Sequence, residues 1–581
     1  MGRLIIKNLY TADFETVNNE EDCRIWAWGL YGIYTDNFKY GNDMSSFFDL
    51  IFSLPSKTKI YFHNLKFDGE FLFYWLFNNG FKHTTNKKRF DNEFSTLITF
   101  MGVFYAINIT YEGREYFIYD SLKIIPLPVT GISKAYGLEQ LKGEIDYNKE
   151  RPNGYVLDNN EVQYLRNDVE IVGKALKTMF DEKLTKMTQA SNAFSDFKKI
   201  MGSKRFTKLF PVLKFDNEIR QSYKGGWTYA NPKFQNKIIK KGLVYDVNSL
   251  YPSVMYYEKL PYGEGIFYEG EYQEDKIYTL YIQMIRCNFE LKEGFLPTIQ
   301  LKNTLGFKPT EYVTDSNDLD VTMCLTSVDL ELFLKHYNVY NLEFIGGWKF
   351  KASDKLFRDY IDKWGKIKEE SGKNGNVGMK TLAKLMLNSL YGKFALNPQV
   401  TSKIPVFDGE FIHYKRGEDE ERESIYVPVA CFITANARKI TIETAQKNYD
   451  RFLYADTDSV HLMGDEIPDI DIDDLKLGKW KCEGKFIRGK FLRAKSYVEE
   501  HFLTVDEYNA LKEENKKKWK YDKLNDVYIQ LHVCCAGLPH KSHEFITFDN
   551  FVDGLVVGGK LQHKRVKGGV VLKEIDFTIK I

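Results

Sequence analysis

Periodicity in the chain predicts a series of short elements that each carry chemistry at one end. Leu9-Tyr10-Thr11-Ala12-Asp13-Phe14-Glu15-Thr16 alternates with a period of two. Ala12 and Phe14 fall on one face of a predicted strand, and Asp13 and Glu15 on the other. Ile60-Tyr61-Phe62 predicts a second strand, which leads through His63-Asn64-Leu65-Lys66-Phe67-Asp68 into a helical run over 69–77. That puts Asp68 at a strand-to-helix junction, a usual place for site residues in α/β folds. Asp158-Asn159-Asn160-Glu161 reads as a capping box opening a helix through Leu184, with Tyr164 and Asp168 stacked four residues apart on one face. A further helix begins near Met187, followed by Gln221-Ser222-Tyr223-Lys224-Gly225-Gly226-Trp227. Next comes a buried-type strand, Gly242-Leu243-Val244-Tyr245-Asp246, and a helix with Pro252 in its first turn. The helix predicted over 377–391 is amphipathic. At about 100° per residue, Lys380, Tyr391, Lys384 and Asn388 fall at roughly 0°, 20°, 40° and 80°. Leu385, Leu382, Met386, Met379, Leu390 and Ala383 occupy the opposite arc, and Gly392 is placed for a C-terminal cap. Finally, Phe452-Leu453-Tyr454-Ala455-Asp456-Thr457-Asp458-Ser459-Val460 predicts a β-hairpin with two aspartates at its turn.

These acids suggest metal chemistry. In an extended segment Asp456 and Asp458 would present two carboxylates to one point, where a hard cation such as Mg²⁺ would relieve their repulsion. Asp-Thr-Asp is also ordinary turn chemistry. Asp246, at the end of its strand, is a third acid that only the fold could bring near. Asp13, Glu15, Asp68 and Asp168, with the hydroxyl of Tyr164, form a second candidate set for two-metal phosphodiester hydrolysis. Singly, each reads as well as a surface acid. A solvated lysine face accounts for the leucines of the 377–391 helix but not for a tyrosine and an asparagine on the lysine stripe. Lysines beside an aromatic suit a triphosphate and its base. Gly225 and Gly226 allow close backbone approach to a ligand, or simply an interdomain turn.

Composition narrows the class. A chain of 581 residues exceeds the size at which single cores stop growing, so several domains are expected. Net charge is only +1, but it is segregated. Seven Lys against two Glu lie over 363–393, seven Lys/Arg against one Glu over 479–495, and six acids without a base over 465–474. Seven scattered cysteines with no CxxC pair argue against a secreted disulfide framework. Cys534-Cys535 with His540 and His543 fits no standard zinc spacing. Without an apolar leader or a long apolar span, a soluble, intracellular protein with no membrane partner is expected.

Three elements of the first third (Asp13-x-Glu15, Asn64-x₃-Asp68, Tyr164-x₃-Asp168) resemble the motifs of proofreading 3′–5′ exonucleases fused to DNA polymerases. Downstream, Asp246-Val247-Asn248-Ser249-Leu250-Tyr251-Pro252, Lys384 to Gly392 and Tyr454-Ala455-Asp456-Thr457-Asp458 resemble motifs A, B and C of family B DNA polymerases. Tyr223-Lys224-Gly225-Gly226 resembles that family's linker between exonuclease and polymerase, and Lys495-Ser496-Tyr497 its Lys-x-Tyr motif. The compact length and two insertions make the chain similar to the protein-primed branch found in bacteriophages with linear genomes. The first insertion spans roughly Leu260 to Lys351. The second runs from Ala395 to Tyr426 and holds a hairpin-like Phe407-Asp408-Gly409-Glu410-Phe411.

The resemblance implies an α+β / α/β multidomain fold in which an RNase-H-like exonuclease (1–187) precedes a right-hand polymerase. Its parts would be palm (188–259 and 427–528), fingers (356–394) and thumb (529–581), with insertions at 260–355 and 395–426. It implies that Asp246 and Asp458 ligate two Mg²⁺ ions, for which Mn²⁺ can substitute, with Val247 among the metal contacts and Asp456 in support. Tyr251 would lie under the sugar of the incoming nucleotide and Tyr391 against its base. Lys384 and Asn388 would serve the triphosphate, with help from Lys373. Asp13, Glu15, Asp68 and Asp168 would hold the exonuclease metals, with Tyr164 orienting water and Lys142, in Leu141-Lys142-Gly143, stabilising charge. His63, Asn64, Phe67, Ser121 and Leu122 would hold a frayed 3′ end. Tyr223, Gly225, Gly226, Lys495 and Tyr497 would touch DNA. The first insertion would contact a terminal protein whose hydroxyl primes synthesis, and the second would help close a ring giving processivity and strand displacement. A monomer acting on template, primer and deoxynucleotides in the bacterial host cytoplasm is expected. Competing readings are a nucleic-acid-primed family B enzyme, a stand-alone nuclease, and a non-catalytic module holding a terminal protein on DNA ends. The retained carboxylates tell against the last, and the lysine stripe against the nuclease.

Overall fold

The computed structural model describes residues 8–139, 142–301, 308 and 311–580. Its N-terminal part is built on an eight-stranded mixed sheet in which Leu9–Thr16 runs antiparallel to Ile25–Gly32 and parallel to Thr58–Phe62. The alternation over 9–16 holds: Ala12 and Phe14 enter a core with Phe47 and Phe62, and Asp13 and Glu15 point to the other face. The helix Asn159–Asp181 crosses that second face. Its capping box forms as predicted, with the Asp158 side chain accepting from Glu161 N and the Glu161 side chain accepting from Asp158 N.

Three predicted boundaries move, each for a local reason. The helix after the second strand starts at Leu65 rather than 69, because Asn64 takes a left-handed conformation (φ 75°) and its N–H is held by Asp120 Oδ1 at 3.0 Å. Asp68 therefore lies in the first helical turn. The helix predicted through Leu184 ends at Asp181, where Lys183 turns left-handed (φ 62°) and Leu184 N bonds back to Met179 O. Gly392 does not cap its helix. Leu390 and Phe394 are both anchored in the core, so the chain keeps turning through a short helix, Tyr391–Phe394.

The central part is a nine-stranded sheet. Gly242–Val247 sits in its middle, antiparallel to Ser459–Met463 on one side and Trp480–Arg493 on the other. Beyond Ser459–Met463 come Phe452–Asp456 and the edge strand Thr228–Ala230. The helix Val427–Lys447, apolar nearly all round, is buried beneath this sheet. The helices Arg358–Lys373 and Val377–Ser389 form an antiparallel pair at one end. A four-stranded sheet over 260–353 and a two-stranded hairpin, Gln399–Phe407 with Ile412–Glu421, stand apart from the central sheet. The chain closes with a second hairpin, Val556–Val566 and Gly569–Thr578.

Candidate functional site

Two separate clusters of carboxylates emerge. In the first, Asp13, Glu15 and Asp168 bring ligand atoms within 4.8 Å of one another, the one such group of three among the described residues. Asp68, 4% exposed, stands beside Asp13 and Glu15, and its Oδ1 is buried without a hydrogen-bond partner. Burial, then the Asp168 charge, pushes Asp13 up to about 7, against Lys142 and the Phe14 N–H. Burial likewise raises Glu15, Asp68 and Asp168. Four acids that resist ionisation together are a set that divalent cations would convert to the charged form. Lys142 Nζ pairs with Asp168 at 2.8 Å and lies 5.5 Å from the Tyr164 ring centre. Leu141, beside it, lies outside the described residues. The Tyr164 hydroxyl meets that of Tyr147 at 3.0 Å, and nothing in the sequence singled Tyr147 out.

Next to this cluster, both ring nitrogens of His63 are engaged inside the protein, Nδ1 with Ser121 Oγ at 3.0 Å and Nε2 with Leu127 O at 2.7 Å. Ser121 is fully buried and donates to Phe62 O, so it supports His63 from behind instead of facing a strand. Leu122 N is held by Asp120 Oδ1, the same oxygen that holds Asn64 N. Phe67 packs on Phe71 and meets the ring of His563, from the C-terminal hairpin, edge-on.

In the second cluster, Asp246 lies near the end of its strand and Asp458 in the turn just before the neighbouring strand Ser459–Met463, and a 2.8 Å bond from Val247 N to Asp458 O joins the two segments. Burial, then the Asp458 and Glu483 charges, drives Asp246 up to about 7, while Lys481 and Lys384 pull it down. Asp458 is also raised, first by burial. The expectation that Asp456 and Asp458 aim at one point fails. Thr457 turns left-handed (φ 64°), the strand stops at Asp456, and the alternation that would align the two acids is broken. Instead both Asp456 oxygens meet Lys495 Nζ, at 2.7 and 2.8 Å, and Thr228 Oγ1 donates to one of them. Ala455 is fully buried on the other face.

The predicted stripe forms beside this cluster. Lys380, Lys384 and Asn388 are exposed, and Tyr391 stacks on Tyr251 with ring centres 4.1 Å apart. Lys373 does not join it; it pairs with Glu369 on its own helix. Lys368 takes that place, lying close enough to Lys384 and Lys380 that, after burial, their charge lowers its proton affinity. A helical pattern cannot show which lysine of a neighbouring helix faces the stripe, so Lys368 carries no signal in the sequence.

The linker glycine Gly226 packs closely on the hairpin. A Cβ on Gly226 would sit 2.6 Å from Thr457 Cγ2, and Trp227 O accepts from Thr457 N at 2.8 Å. A Cβ on Gly225 would meet nothing. Arg438, buried and paired bidentately with Asp329, donates to the carbonyls of Lys224 and Gly225 and so fixes the linker. Tyr223 packs partly buried against the same core as Tyr251 and Tyr391. Tyr497 is 9% exposed, stacked on Phe491 and close to Tyr454, and lines a cavity of about 320 Å³ with Asp246, Ser459 and Glu483.

Comparison with known proteins gives one answer along the whole chain. The family described as DNA polymerase type B, organellar and viral, matches residues 52–476. The DNA polymerase of Bacillus phage phi29 is 44% identical over 586 residues, 99% of each chain. That of Streptococcus phage Cp-1 is 34% identical over 98% of each. The solved Phi29 DNA polymerase complexed with primer-template DNA and incoming nucleotide substrates superposes with a TM-score of 0.91 at 43% identity, covering 99% of this chain and all of that one. Polymerases of this family generally use divalent metal ions, and the Asp13–Glu15–Asp168 cluster has the donor set for them. Two acid clusters, a triphosphate-suited stripe and this end-to-end likeness lead to one conclusion: the chain belongs to the viral type B DNA polymerases, as a phi29-type DNA-directed DNA polymerase.

Proposed function

We propose that this polymerase copies a linear genome from a protein primer, displaces the strand ahead of it, and edits its product with a 3′–5′ exonuclease. The observation that carries the synthetic site is Asp246 on its strand with Asp458 in the turn leading into the neighbouring strand, beside the exposed face of Lys380, Lys384 and Asn388. In this reading Asp246 and Asp458, with the Val247 backbone, hold two Mg²⁺ ions, or Mn²⁺ in their place. When bound, these ions stabilise the charge that builds on the phosphoryl group and its leaving oxygen. The chain's own residues do the positioning. Tyr251, held flat by Tyr391, leaves no room for a 2′-hydroxyl. Lys384 and Lys368 receive the triphosphate. Asp456 keeps Lys495 at the primer strand as a supporting member. The primer hydroxyl displaces pyrophosphate from the α-phosphate.

The editing site is the Asp13–Glu15–Asp68–Asp168 set, with Lys142 offsetting its charge and the paired hydroxyls of Tyr164 and Tyr147 at its edge. Asn64, Phe67 and Leu122 hold the frayed 3′ end on this reading. It is supported by the solved Phi29 DNA polymerase complexes with primer-template DNA and with single-stranded DNA. The insertion at 260–355 would receive a terminal protein. The enzyme would act in the bacterial host cytoplasm; no helix of the described residues is long and apolar enough to cross a membrane.

Asp458→Ala should abolish nucleotide incorporation and leave degradation of single strands intact, while Asp13→Ala with Asp68→Ala should do the reverse. Incorporation by Asp458→Ala with Mg²⁺ would refute the site. Protein priming is tested with a candidate terminal protein, labelled dATP and Mg²⁺. Failure of label to reach the protein on any template favours the nucleic-acid-primed alternative.

A further inference from the structure

Two hairpins far apart in sequence reach the N-terminal unit and end on the same helix, Leu65–Asn78. The first, Gln399–Phe407 with Ile412–Glu421, lies between the lysine-bearing helices and the buried helix Val427–Lys447. It lays Phe407 on Phe77 with ring centres 5.8 Å apart, and Phe100 N donates to Thr401 O at 2.9 Å. The second, Val556–Val566 with Gly569–Thr578, follows the strands of the central sheet. Its tip fits so closely that a Cβ on Gly568 (φ 98°) would lie 1.9 Å from Cys23 O.

Between the two docked hairpins stands Glu70. Its side chain is 3% exposed, and one of its oxygens receives both the Tyr414 hydroxyl at 3.0 Å and Arg565 Nε at 3.1 Å. The Arg565 guanidinium also covers the Tyr414 ring at 4.6 Å. Its other oxygen, buried, has no hydrogen-bond partner. A buried carboxylate is stable as a charge only while its cation stays in place, so such a junction tends to be closed or open, with little between. Each hairpin bridges the central part of the protein to the N-terminal unit, and the chain itself, through 188–220, is a further connection. Covalent chain and docked hairpins thus form closed circuits, and a DNA strand threaded through one leaves only if a bridge lifts.

We propose that Glu70 is the positioning residue that latches both hairpins to the N-terminal unit, and that release of this latch is how the circuit opens to take or lose DNA. This rests on the polymerase reading above and adds to it the point of opening. Nothing in the exonuclease set uses Glu70; two residues on from Asp68 along the helix, it faces the hairpins.

The test compares the wild type with Arg565→Gln, Tyr414→Phe and the neutral pair Glu70→Gln/Arg565→Gln. Three readouts are taken: addition of a few nucleotides to a short recessed primer, product length on a long singly primed circle with a trap for released enzyme, and proteolytic cleavage within 399–421 and 556–578. Arg565→Gln should leave short-primer addition within twofold, shorten trapped products at least tenfold, and speed cleavage in both hairpins, including the one it does not belong to. Tyr414→Phe should act in the same direction but less. The neutral pair should recover part of the length lost by Arg565→Gln, because no unpaired charge stays buried. The proposal is overturned if trapped length is unchanged in Arg565→Gln, if only the 556–578 hairpin becomes cleavable, or if the neutral pair is no better than the single variant. Loss of short-primer addition in step with length would also overturn it, since the junction would then serve folding alone. Absence of short-primer addition in the wild type would instead count against the polymerase reading.

Discussion

Asp246→Asn should make the metal-free protein more stable while it abolishes nucleotide incorporation. Burial, with Asp458 and Glu483 nearby, moves the Asp246 carboxyl from an ordinary 3.8 to about 7. Each tenfold change in proton affinity is worth about 1.4 kcal/mol, so full ionisation in the fold would cost roughly 4 kcal/mol. Asp246 is partly open to water, and screening cuts that to about 2 kcal/mol. The sign follows from a folded value above the unfolded one. The penalty is absent below about pH 4, grows as pH rises, and is complete once pH passes about 7. Asparagine has the same shape and no charge, so the variant should gain about 2 kcal/mol near pH 8 and less than about 1 kcal/mol near pH 5. The assay is urea unfolding in EDTA at several pH values, followed by tryptophan fluorescence, to which Trp480, on the strand next to Asp246, contributes. Mg²⁺ should stabilise the wild type and not the variant, so the gap should narrow or reverse when it is added. A gain that is flat with pH, or that survives saturating Mg²⁺, would refute the reasoning.

Other expectations follow from single contacts. Gly226→Ala must displace Thr457, whose carbonyl also accepts from Thr441 at 2.7 Å, and overpacking there should cost about 1–3 kcal/mol. Because it moves the hairpin that carries Asp458, steady-state incorporation should fall on the order of tenfold or more with single-strand degradation unchanged. Lys142→Met removes the cation 2.8 Å from Asp168 and should slow degradation of an end-labelled single strand by roughly a hundredfold, leaving incorporation alone. Burial pushes Glu499 up, but His461 and His501, bonded to its two oxygens at 2.7 and 2.8 Å, overcome this and hold it at about 2. Its stabilisation is therefore present above about pH 4.5 and lost as pH falls toward 2. Glu499→Gln should lose up to roughly 3 kcal/mol near pH 5 and flatten the acid limb of a stability–pH curve.

What could be read from the sequence was whatever a single element decides for itself. The two-residue period of 9–16, the Asp158–Glu161 capping box and the 3.6-residue stripe on 377–391 each state their own faces, and those faces are found in the fold. The departures come where a second element intervenes. Asp456 looks like a partner of Asp458 until Lys495, 39 residues on, takes both its oxygens. Lys373 looks like the phosphate lysine until its own helix supplies Glu369, leaving the place to Lys368. Gly226 looks like room for a ligand until Thr457 fills it. Glu70 is the extreme case, because its partners are 344 and 495 residues away, and nothing local marks it. An acid two residues past Asp68 on an apolar helix would ordinarily be turned to water; here it is buried because two hairpins arrive to cover it. Motif reading therefore finds the chemistry of such an enzyme more readily than the joints between its parts. Those joints depend on contacts between elements that share no local pattern, and they have to be sought among buried charges that the chemistry leaves unused.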